Sequence, residues 1–224
     1  TLSVTAQGSG TVTSSPAGIN CPPTCEAVFP INQAVTLSAA AGSGSQFYGF
    51  SGACTGASCS VTMSADRGVV AGFYTGTLAT RYRLYSPGTF EHLYTTDFNE
   101  YSVLPGCCQW VPEGAIYRIL RGPGSYNGVQ AVPYYRLYNP YSHQHHWTTD
   151  LNEYNVLPGL GWVQEGIDGY LLPTPAPGTI PLYRLYLNAQ GGLHLWTTDA
   201  VEASYLTTSA GWLSEGIAGY VFRT

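Results

Sequence analysis

Hydrophobic and polar residues alternate with a period of two in five short runs of the first 75 residues, and Gly, Pro and Ser separate these runs. Such alternation places apolar side chains on one face of an extended strand and polar side chains on the other. The pattern therefore predicts half-buried antiparallel strands at residues 2–5, 10–13, 34–37, 60–63 and 69–73. We expect residues 1–75 to form one small β domain.

A longer pattern recurs three times after residue 80. Each copy begins with Tyr-Arg-Leu-Tyr, continues with a His, an aromatic residue and Thr-Thr-Asp, and closes with Trp-x-x-Glu-Gly and a last aromatic strand. About a dozen positions agree in register, which indicates a structural repeat. The repeats cover about residues 81–121, 134–173 and 182–224.

Each repeat has room for about four short strands, and three copies are fewer than the blades that usually close a propeller. We therefore predict an all-β protein, in which the small antiparallel domain (1–75) is followed by a pseudo-threefold β-trefoil-like domain (81–224) with short helices and a closed barrel. The Gly- and Pro-rich segments at 122–124 and 173–178 are linkers rather than domain boundaries, because one repeat could not bury its own face.

The composition agrees with strands and turns, since the 224 residues include 27 Gly, 15 Pro and 18 Tyr but no Lys. No run of 18 apolar residues is present, so we expect no membrane insertion. The net charge of −5, with eight Arg, leaves no basic stripe, so we expect no nucleic-acid partner. No signal peptide is recognisable, and we expect a mature form or an excised fragment.

Cysteine spacing favours disulfides over a zinc site, because the intervals are not C-x-x-C knuckles. The short spacings favour two local loops but leave the pairing open. The adjacent cysteines form a vicinal disulfide or link two chains, and a bent loop favours the former. We expect an extracellular or periplasmic protein with these cysteines oxidised: Cys21, Cys25, Cys54, Cys59, Cys107 and Cys108.

A repeated Asp-x-x-Glu has two interpretations, a general acid and base or a helix start with Asp as N-cap and Glu at N3 reaching back. The helix-compatible residues that follow favour capping, and Pro-Gly ends the helix in two copies. The expected structural residues are Asp97, Glu100, Asp150, Glu153, Asp199 and Glu202. The repeated Arg83, Arg136 and Arg184 are expected to pair with a carboxylate of their own repeat (Glu113, Glu165 or Glu215), and ligand contact is the alternative.

The strand with His and an aromatic residue supports two hypotheses. A single His on a strand is usually a hydrogen-bonded scaffold residue. An aromatic ring beside polar groups also suits a sugar, which presents an apolar C–H face and a rim of hydroxyls. The expected ligand-binding residues are His92, Tyr94, Glu113, His145, Trp147, Glu165, His194, Trp196 and Glu215.

Three histidines crowd the second copy, at His143, His145 and His146. A metal there is disfavoured, because strand alternation separates His145 from His146 and no Cys is near. We expect neither a metal nor a cofactor.

Two stretches of the sequence resemble known families. Residues 2–74 carry Gly-x-Gly-x-Val-x-Ser-x-Pro-x-Gly-Ile-x-Cys, Phe-x-Gly-Phe-Ser-Gly-x-Cys and Val-x-Ala-x-Phe, and resemble a divergent internalin-type B-repeat of bacterial surface proteins, which implies a spacer. Residues 81–224 resemble an uncharacterised family of secreted modules, often appended to hydrolases and adhesins, with an architecture similar to trefoil lectins. That resemblance implies an accessory, glycan-recognising role and transfers no catalytic residue.

The sequence thus favours a non-catalytic extracellular carbohydrate-binding module, lectin-like and monomeric, which recognises cell-surface or cell-wall glycans through repeated sites that gain from avidity. One alternative is a secreted hydrolase that uses the repeated His, Asp and Glu. No Gly-x-Ser-x-Gly or His-Glu-x-x-His motif supports it. The other alternative is a protein-binding adhesin module.

Overall fold

The structure is a computed structural model that describes residues 1–75, 77–188 and 192–224. Strands make up 54% and helices 14% of it. The chain divides into two compact units. Unit 1 comprises Thr1–Gly76, Gly124–Gln130 and Ala176–Gly178, and unit 2 comprises Thr77–Pro123, Ala131–Pro175 and Thr179–Thr224. The described helices include none long and apolar enough to cross a membrane.

Unit 1 contains two four-stranded sheets. The strands are β1 (Leu2–Gln7), β2 (Gly10–Ser15), β3 (Asn20–Cys21), β4 (Glu26–Ala27), β5 (Ala34–Ala41), β6 (Ser45–Gly52), β7 (Cys59–Thr62) and β8 (Arg67–Thr75). One sheet has the order β4-β1-β8-β6 and the other β3-β2-β5-β7. β1 and β8 are parallel, and the other pairs are antiparallel. The apolar face of the alternation forms the core, which includes Val4, Val12, Val35 and Val61.

Disulfides close two loops of unit 1, Cys21–Cys25 and Cys54–Cys59. The preference for two local loops is confirmed. The segments from the Gly- and Pro-rich linkers add a pair of short strands, β12 (Ser125–Tyr126) and β13 (Val129–Gln130). The buried Tyr126 hydroxyl donates a hydrogen bond of 2.5 Å to the carbonyl of Pro177, which joins the two segments.

Unit 2 repeats the order strand, strand, helix, strand three times. Repeat 1 has β9 (Leu78–Tyr85), β10 (His92–Thr95), α1 (Phe98–Cys108) and β11 (Val111–Leu120). Repeat 2 has β14 (Val132–Asn139), β15 (Gln144–Thr148), α2 (Leu151–Val156), a 3-10 helix (Leu157–Leu160) and β16 (Val163–Leu171). Repeat 3 has β17 (Thr179–Leu187), β18 (Leu193–Thr197), α3 (Ala200–Ser209) and β19 (Leu213–Phe222).

In every repeat the first strand is central and pairs antiparallel with the second and third strands. The third strands of the repeats meet one another, because β11 pairs with both β16 and β19. An isolated bridge between Leu172 and Tyr220 joins the second and third repeats. These pairings unite the strands of the three repeats in one sheet.

The prediction of about four strands in each repeat is wrong. The described chain has three main strands in each repeat, and they form no closed barrel. The physical reason lies in the Glu-Gly step of the third strand, where the glycines have positive φ angles of 92°, 100° and 92° and the strand register shifts. A glycine in this conformation makes a β-bulge, so the strand bends there and continues as one strand. The glycines are Gly114, Gly166 and Gly216.

The three helices begin at the predicted N-caps. In each repeat the Asp carboxylate accepts hydrogen bonds from the backbone N–H groups two and three residues later. These bonds satisfy donors that have no partner within the helix. The caps are Asp97, Asp150 and Asp199.

The first helix does not stop where the sequence predicted. α1 continues past Pro105 to Cys108, whereas α2 ends at Val156, just before its own Pro-Gly. Cys107 and Cys108 form a vicinal disulfide in the last turn of α1, and Gln109 ends the helix with a left-handed φ of 61°. The expected intrachain disulfide is therefore present, although in a helix rather than a bent loop.

Candidate functional site

An aromatic triad occupies the centre of unit 2. One ring comes from the second strand of each repeat, and the ring centroids lie 5.3, 5.5 and 5.7 Å apart at interplanar angles of 80–82°. Edge-to-face contacts of this kind stabilise a core beyond the area that they bury. The triad consists of Tyr94, Trp147 and Trp196.

The assignment of this triad to a sugar site is therefore corrected. The side chains are 0–1% exposed, and Tyr94 uses its hydroxyl to accept a hydrogen bond from the backbone N–H of Trp196. The Trp147 indole N–H donates to Asp168 at 2.7 Å. Strand alternation showed which residues share a face, but it could not show whether that face turns inward. The rings are core residues.

A buried ion pair lies beside the triad. The guanidinium of Arg81 is 2.6 Å from the Asp168 carboxylate, and its side chain is completely buried. The Arg81 guanidinium carbon also lies 5.4 Å from the centre of the Trp147 ring and 5.8 Å from that of Tyr134. Burial opposes the charge of Arg81, yet the Asp168 carboxylate keeps the pKa of Arg81 above its ordinary value. This pair could not be predicted from the sequence, because neither residue belongs to the repeated pattern.

The repeated arginines each bind two carboxylates. Within its repeat, each Arg Nε lies 2.7 Å from a Glu of the third strand, which confirms the predicted ion pair. The pairs are Arg83 with Glu113, Arg136 with Glu165, and Arg184 with Glu215.

The Nη1–Nη2 edge of each guanidinium donates to the helix Glu of a neighbouring repeat at 2.7–3.2 Å. The order is cyclic, since repeat 1 binds repeat 3, repeat 2 binds repeat 1, and repeat 3 binds repeat 2. We call this set of contacts the Arg–Glu ring. Its members are Arg83 with Glu202, Arg136 with Glu100, and Arg184 with Glu153.

This ring corrects the role given to the helix glutamates. The sequence predicted that each would reach back to its own N-cap, but the carboxylate turns to an arginine instead, because a charge-assisted bidentate pair is stronger than one bond to a backbone N–H. Burial would raise the pKa of Glu153, but hydrogen bonds from Arg184 and His146 outweigh it and hold the pKa well below its usual range. The same balance lowers the pKa of Glu100 and Glu202.

The histidines predicted to bind ligand also have protein partners. His92 and His194 each place Nε2 near the third-strand Glu of their repeat, at 3.6 and 3.3 Å. Burial, followed by the charge of Arg83, lowers the pKa of His92 to about 4. Burial, followed by His146 and Arg184, lowers the pKa of His194 to about 3. These rings are therefore neutral at neutral pH. Each also packs against a Tyr of its first strand, Tyr85 or Tyr186.

The second copy departs from this pattern. His145 bonds through Nδ1 to Glu91 at 2.8 Å, and the Glu91 side chain is 4% exposed. His146 is buried and bonds to Glu153 at 3.1 Å, so it adds to the Arg–Glu ring. His143 lies 3.0 Å from the Tyr138 hydroxyl. Across the described residues, no group of three or more His, Cys, Asp or Glu side chains could hold a metal ion.

Three related grooves lie between neighbouring repeats. One wall of each carries the Thr-Thr-Asp-x-x-Glu segment of one repeat, and the other carries the Arg and the third strand of the next. We name them by these repeats: groove 2–3 has a volume of about 580 Å³, groove 1–2 about 420 Å³ and groove 3–1 about 330 Å³. Repetition has therefore produced three clefts of one design.

Groove 2–3 combines polar and apolar groups. Its polar lining includes Asn152, Asp150 and Arg184, and its apolar lining includes Val156 and Ile217. Ile217 is 48% exposed, and its counterpart in groove 1–2, Ile167, is 50% exposed. These exposed branched side chains lie at equivalent positions of two repeats and face a cleft. They were not among the ligand-binding residues predicted from the sequence.

The grooves bring together only part of the predicted site. Glu165 lines groove 1–2 and Glu215 lines groove 2–3, whereas Glu113 is absent from the lining of groove 3–1. The predicted histidines line none of these three grooves. The N-cap aspartates, assigned a structural role, stand at every groove wall with the Thr that precedes them.

The fold and the grooves define a β-rich module of three repeats held together by a polar ring. Residues 80–222 match a domain of unknown function (DUF5648), and the chain belongs to this family. No curated protein and no solved structure matched the chain.

Proposed function

We propose that the chain is a non-catalytic, lectin-like module that binds glycans of a cell surface or cell wall outside the cell. The observation that carries the proposal is the threefold occurrence of one mixed polar and apolar groove. A sugar ring presents both hydroxyls and C–H groups, so it matches a cleft in which Thr, Asn and carboxylate groups face branched apolar side chains.

The repetition itself supports a polymeric ligand. Three weak sites on one rigid unit bind a repeating polymer more tightly than any one site does, because the later contacts become intramolecular. A single active site would gain nothing from three copies. The engagement of the repeated glutamates and arginines in ion pairs also favours binding over acid–base catalysis, since such groups are held in one protonation state.

Three disulfides indicate an oxidising compartment, and on this basis we propose secretion. Unit 1 serves in this proposal as the spacer that its resemblance to a B-repeat implies. A trefoil-like arrangement of unit 2 belongs to the proposal too. The cyclic order of the Arg–Glu ring supports it, although the described strands close no barrel.

The experiment is a glycan array on the full chain, followed by calorimetry with the best polysaccharide. Ile167→Ser and Ile217→Ser should each weaken binding, and the double variant should weaken it far more, because avidity is lost. Leu160→Ser is the matched control, since Leu160 is 70% exposed and lines no groove described above.

Equal binding by all four variants would refute the grooves as glycan sites. An array with no bound glycan would refute the function itself. Capture of a protein partner that the groove variants abolish would favour the adhesin alternative instead.

A further inference from the structure

Groove 2–3 differs from its two relatives at one position of the third strand. The side chain there is Asp168 in groove 1–2, Ile116 in groove 3–1 and the small Ala218 in groove 2–3. The groove with alanine has the largest volume, about 580 Å³. The inference that follows rests on the proposed function and concerns which sugar this groove takes.

The repeat that carries the alanine also contains a buried donor, the indole N–H of Trp196. The Trp147 indole N–H donates to Asp168 in repeat 2, and the corresponding pair in repeat 3 is Trp196 and Ala218. Both indoles stack on the His of their own strand at 27°, with centroids 5.9 and 5.7 Å apart, so each ring packs in the same way against its own His. Within the described part of the chain, Trp196 Nε1 is buried and has no hydrogen-bond partner.

A buried N–H without an acceptor is unfavourable, so an acceptor from a ligand at this position would be strongly bound. Alanine cannot supply the oxygen that Asp168 supplies in repeat 2. A sugar hydroxyl or ring oxygen above Ala218 would supply it. The branched side chains of Val156, Leu157 and Ile217 then lie along the same groove, where they suit the C–H face of the ring.

The charge of groove 2–3 selects among sugars. Its lining contains three carboxylates (Asp150, Glu153 and Glu215) and one guanidinium (Arg184), which gives a net charge of −3 + 1 = −2. Arg184 is already bound by two of the carboxylates, so no free cation is left in the lining for an anionic sugar. An acidic sugar would be repelled, whereas a positively charged one would be attracted.

We propose that groove 2–3 binds a sugar residue with a protonated amine, the amine facing the Asp150 wall and a sugar oxygen accepting from Trp196 Nε1. Asp150 is the key to the test. Its carboxylate caps α2, and asparagine is an equally good cap, so Asp150→Asn removes one charge and keeps the helix start.

The test is calorimetry on the full chain at about pH 6, where an amine is protonated and carboxylates are ionised. The probes are glucosamine oligomers, N-acetylglucosamine oligomers of the same length and oligogalacturonate. We expect the first to bind about tenfold or more tightly than the second and the third not to bind, with affinity falling as salt rises. Asp150→Asn should lose most of this preference for the amine.

Three further variants test the location of the site. Ala218→Asn offers Trp196 an internal acceptor and fills the groove floor, so it should weaken glucosamine binding in a folded protein. Glu26→Gln, an exposed charge change in unit 1, should leave binding unchanged. Asp199→Asn, in groove 3–1, should have a smaller effect than Asp150→Asn.

Equal affinity for the amine and its acetylated form would overturn the amine assignment while leaving glycan binding intact. Equal losses in Asp150→Asn and Asp199→Asn would overturn the choice of groove 2–3. Binding of none of the three probes, with another polysaccharide bound on the array, would overturn this inference alone. An array on which nothing binds would overturn both it and the proposed function.

Discussion

The guanidinium of Arg184 in repeat 3 binds the carboxylate of Glu153 in repeat 2 through two hydrogen bonds of 2.7 and 2.8 Å. The same guanidinium holds Glu215 of its own repeat at 2.7 Å. One side chain therefore joins the helix of one repeat to the third strand of the next. Because both glutamates are about one third exposed or less, the pair is neither a surface ion pair nor a fully buried one.

Arg184→Leu should destabilise unit 2 by about 2–4 kcal/mol, because it leaves two partly buried carboxylates without their cation. The partial exposure keeps the loss below that of a fully buried pair. Urea unfolding followed by Trp fluorescence measures it, since all five Trp lie in unit 2. Arg121→Leu, at an exposed position, is the control and should have little effect. Equal stability of the two variants would contradict a structural role for the Arg–Glu ring.

Acid should destabilise unit 2 in two stages. Burial lowers the pKa of His92 to about 4 and that of His194 to about 3, below the ordinary value of about 6.5. When the pKa of a histidine is lower in the folded protein than in the unfolded chain, the unfolded chain takes up the proton first as the pH falls. The free energy of unfolding therefore decreases once the pH drops below the pKa of the unfolded chain. The melting temperature should therefore fall from about pH 6.5 downward, and further below about pH 4.3 as the helix glutamates protonate in the unfolded chain.

His194→Gln tests the first stage, because glutamine does not titrate. The variant should show a flatter melting profile between about pH 6.5 and about pH 4. His143→Gln, at an exposed histidine, should keep the original slope. Identical slopes in wild type and His194→Gln would show that burial of this ring does not control the acid response.

Asp97→Ala should lower stability by about 0.5–2 kcal/mol, because two backbone N–H groups at the start of α1 lose their acceptor. Asp97→Asn should retain most of that stability, since asparagine caps as well as aspartate. Thermal unfolding of both variants separates the cap from the charge. If Asp97→Asn is as unstable as Asp97→Ala, then the charge matters and the cap does not.

Trp147→Ala should cost about 3–5 kcal/mol, because it removes one ring of the buried triad and leaves Arg81 as the remaining partner of the Asp168 carboxylate. The folded fraction should keep most of its affinity for any polysaccharide, since the Trp147 ring borders groove 2–3 but is 0% exposed and contacts core residues. Denaturant unfolding and a binding isotherm on the folded fraction check the two halves of this expectation. A stable variant with lost affinity would return Trp147 to the binding site.

The repeat and its local chemistry could be predicted from the sequence. The caps at Asp97, Asp150 and Asp199 depend on residues within one turn, and the Arg83–Glu113 pair depends on two strands of one repeat. Contacts between repeats could not be predicted, because a repeat that is read alone does not show which neighbour it touches. Glu202 therefore looked like part of its own cap, although Arg83 binds it from 119 residues away.

The burial of the aromatic residues could not be predicted from the sequence for a different reason. A strand with residues of both kinds on both faces has no apolar face that marks the interior. In β15 His145 is half-buried, while both His146 and Trp147 are buried. Alternation along this strand therefore does not show which face is buried. Ile167 and Ile217 show the opposite discrepancy. Hydrophobicity alone predicts that they are buried, but both are about half exposed.

The pairing of Arg83 with Glu202 fixes the number of repeats. An open row of such units would leave an arginine without its partner at one end and a glutamate at the other, and each added unit would only move these ends apart. Because the first repeat here takes its carboxylate from the last, the row has no ends. A fourth copy would find no unpaired arginine of the ring to bind its helix glutamate. In this fold, closing the ring with three repeats therefore prevents the addition of another repeat.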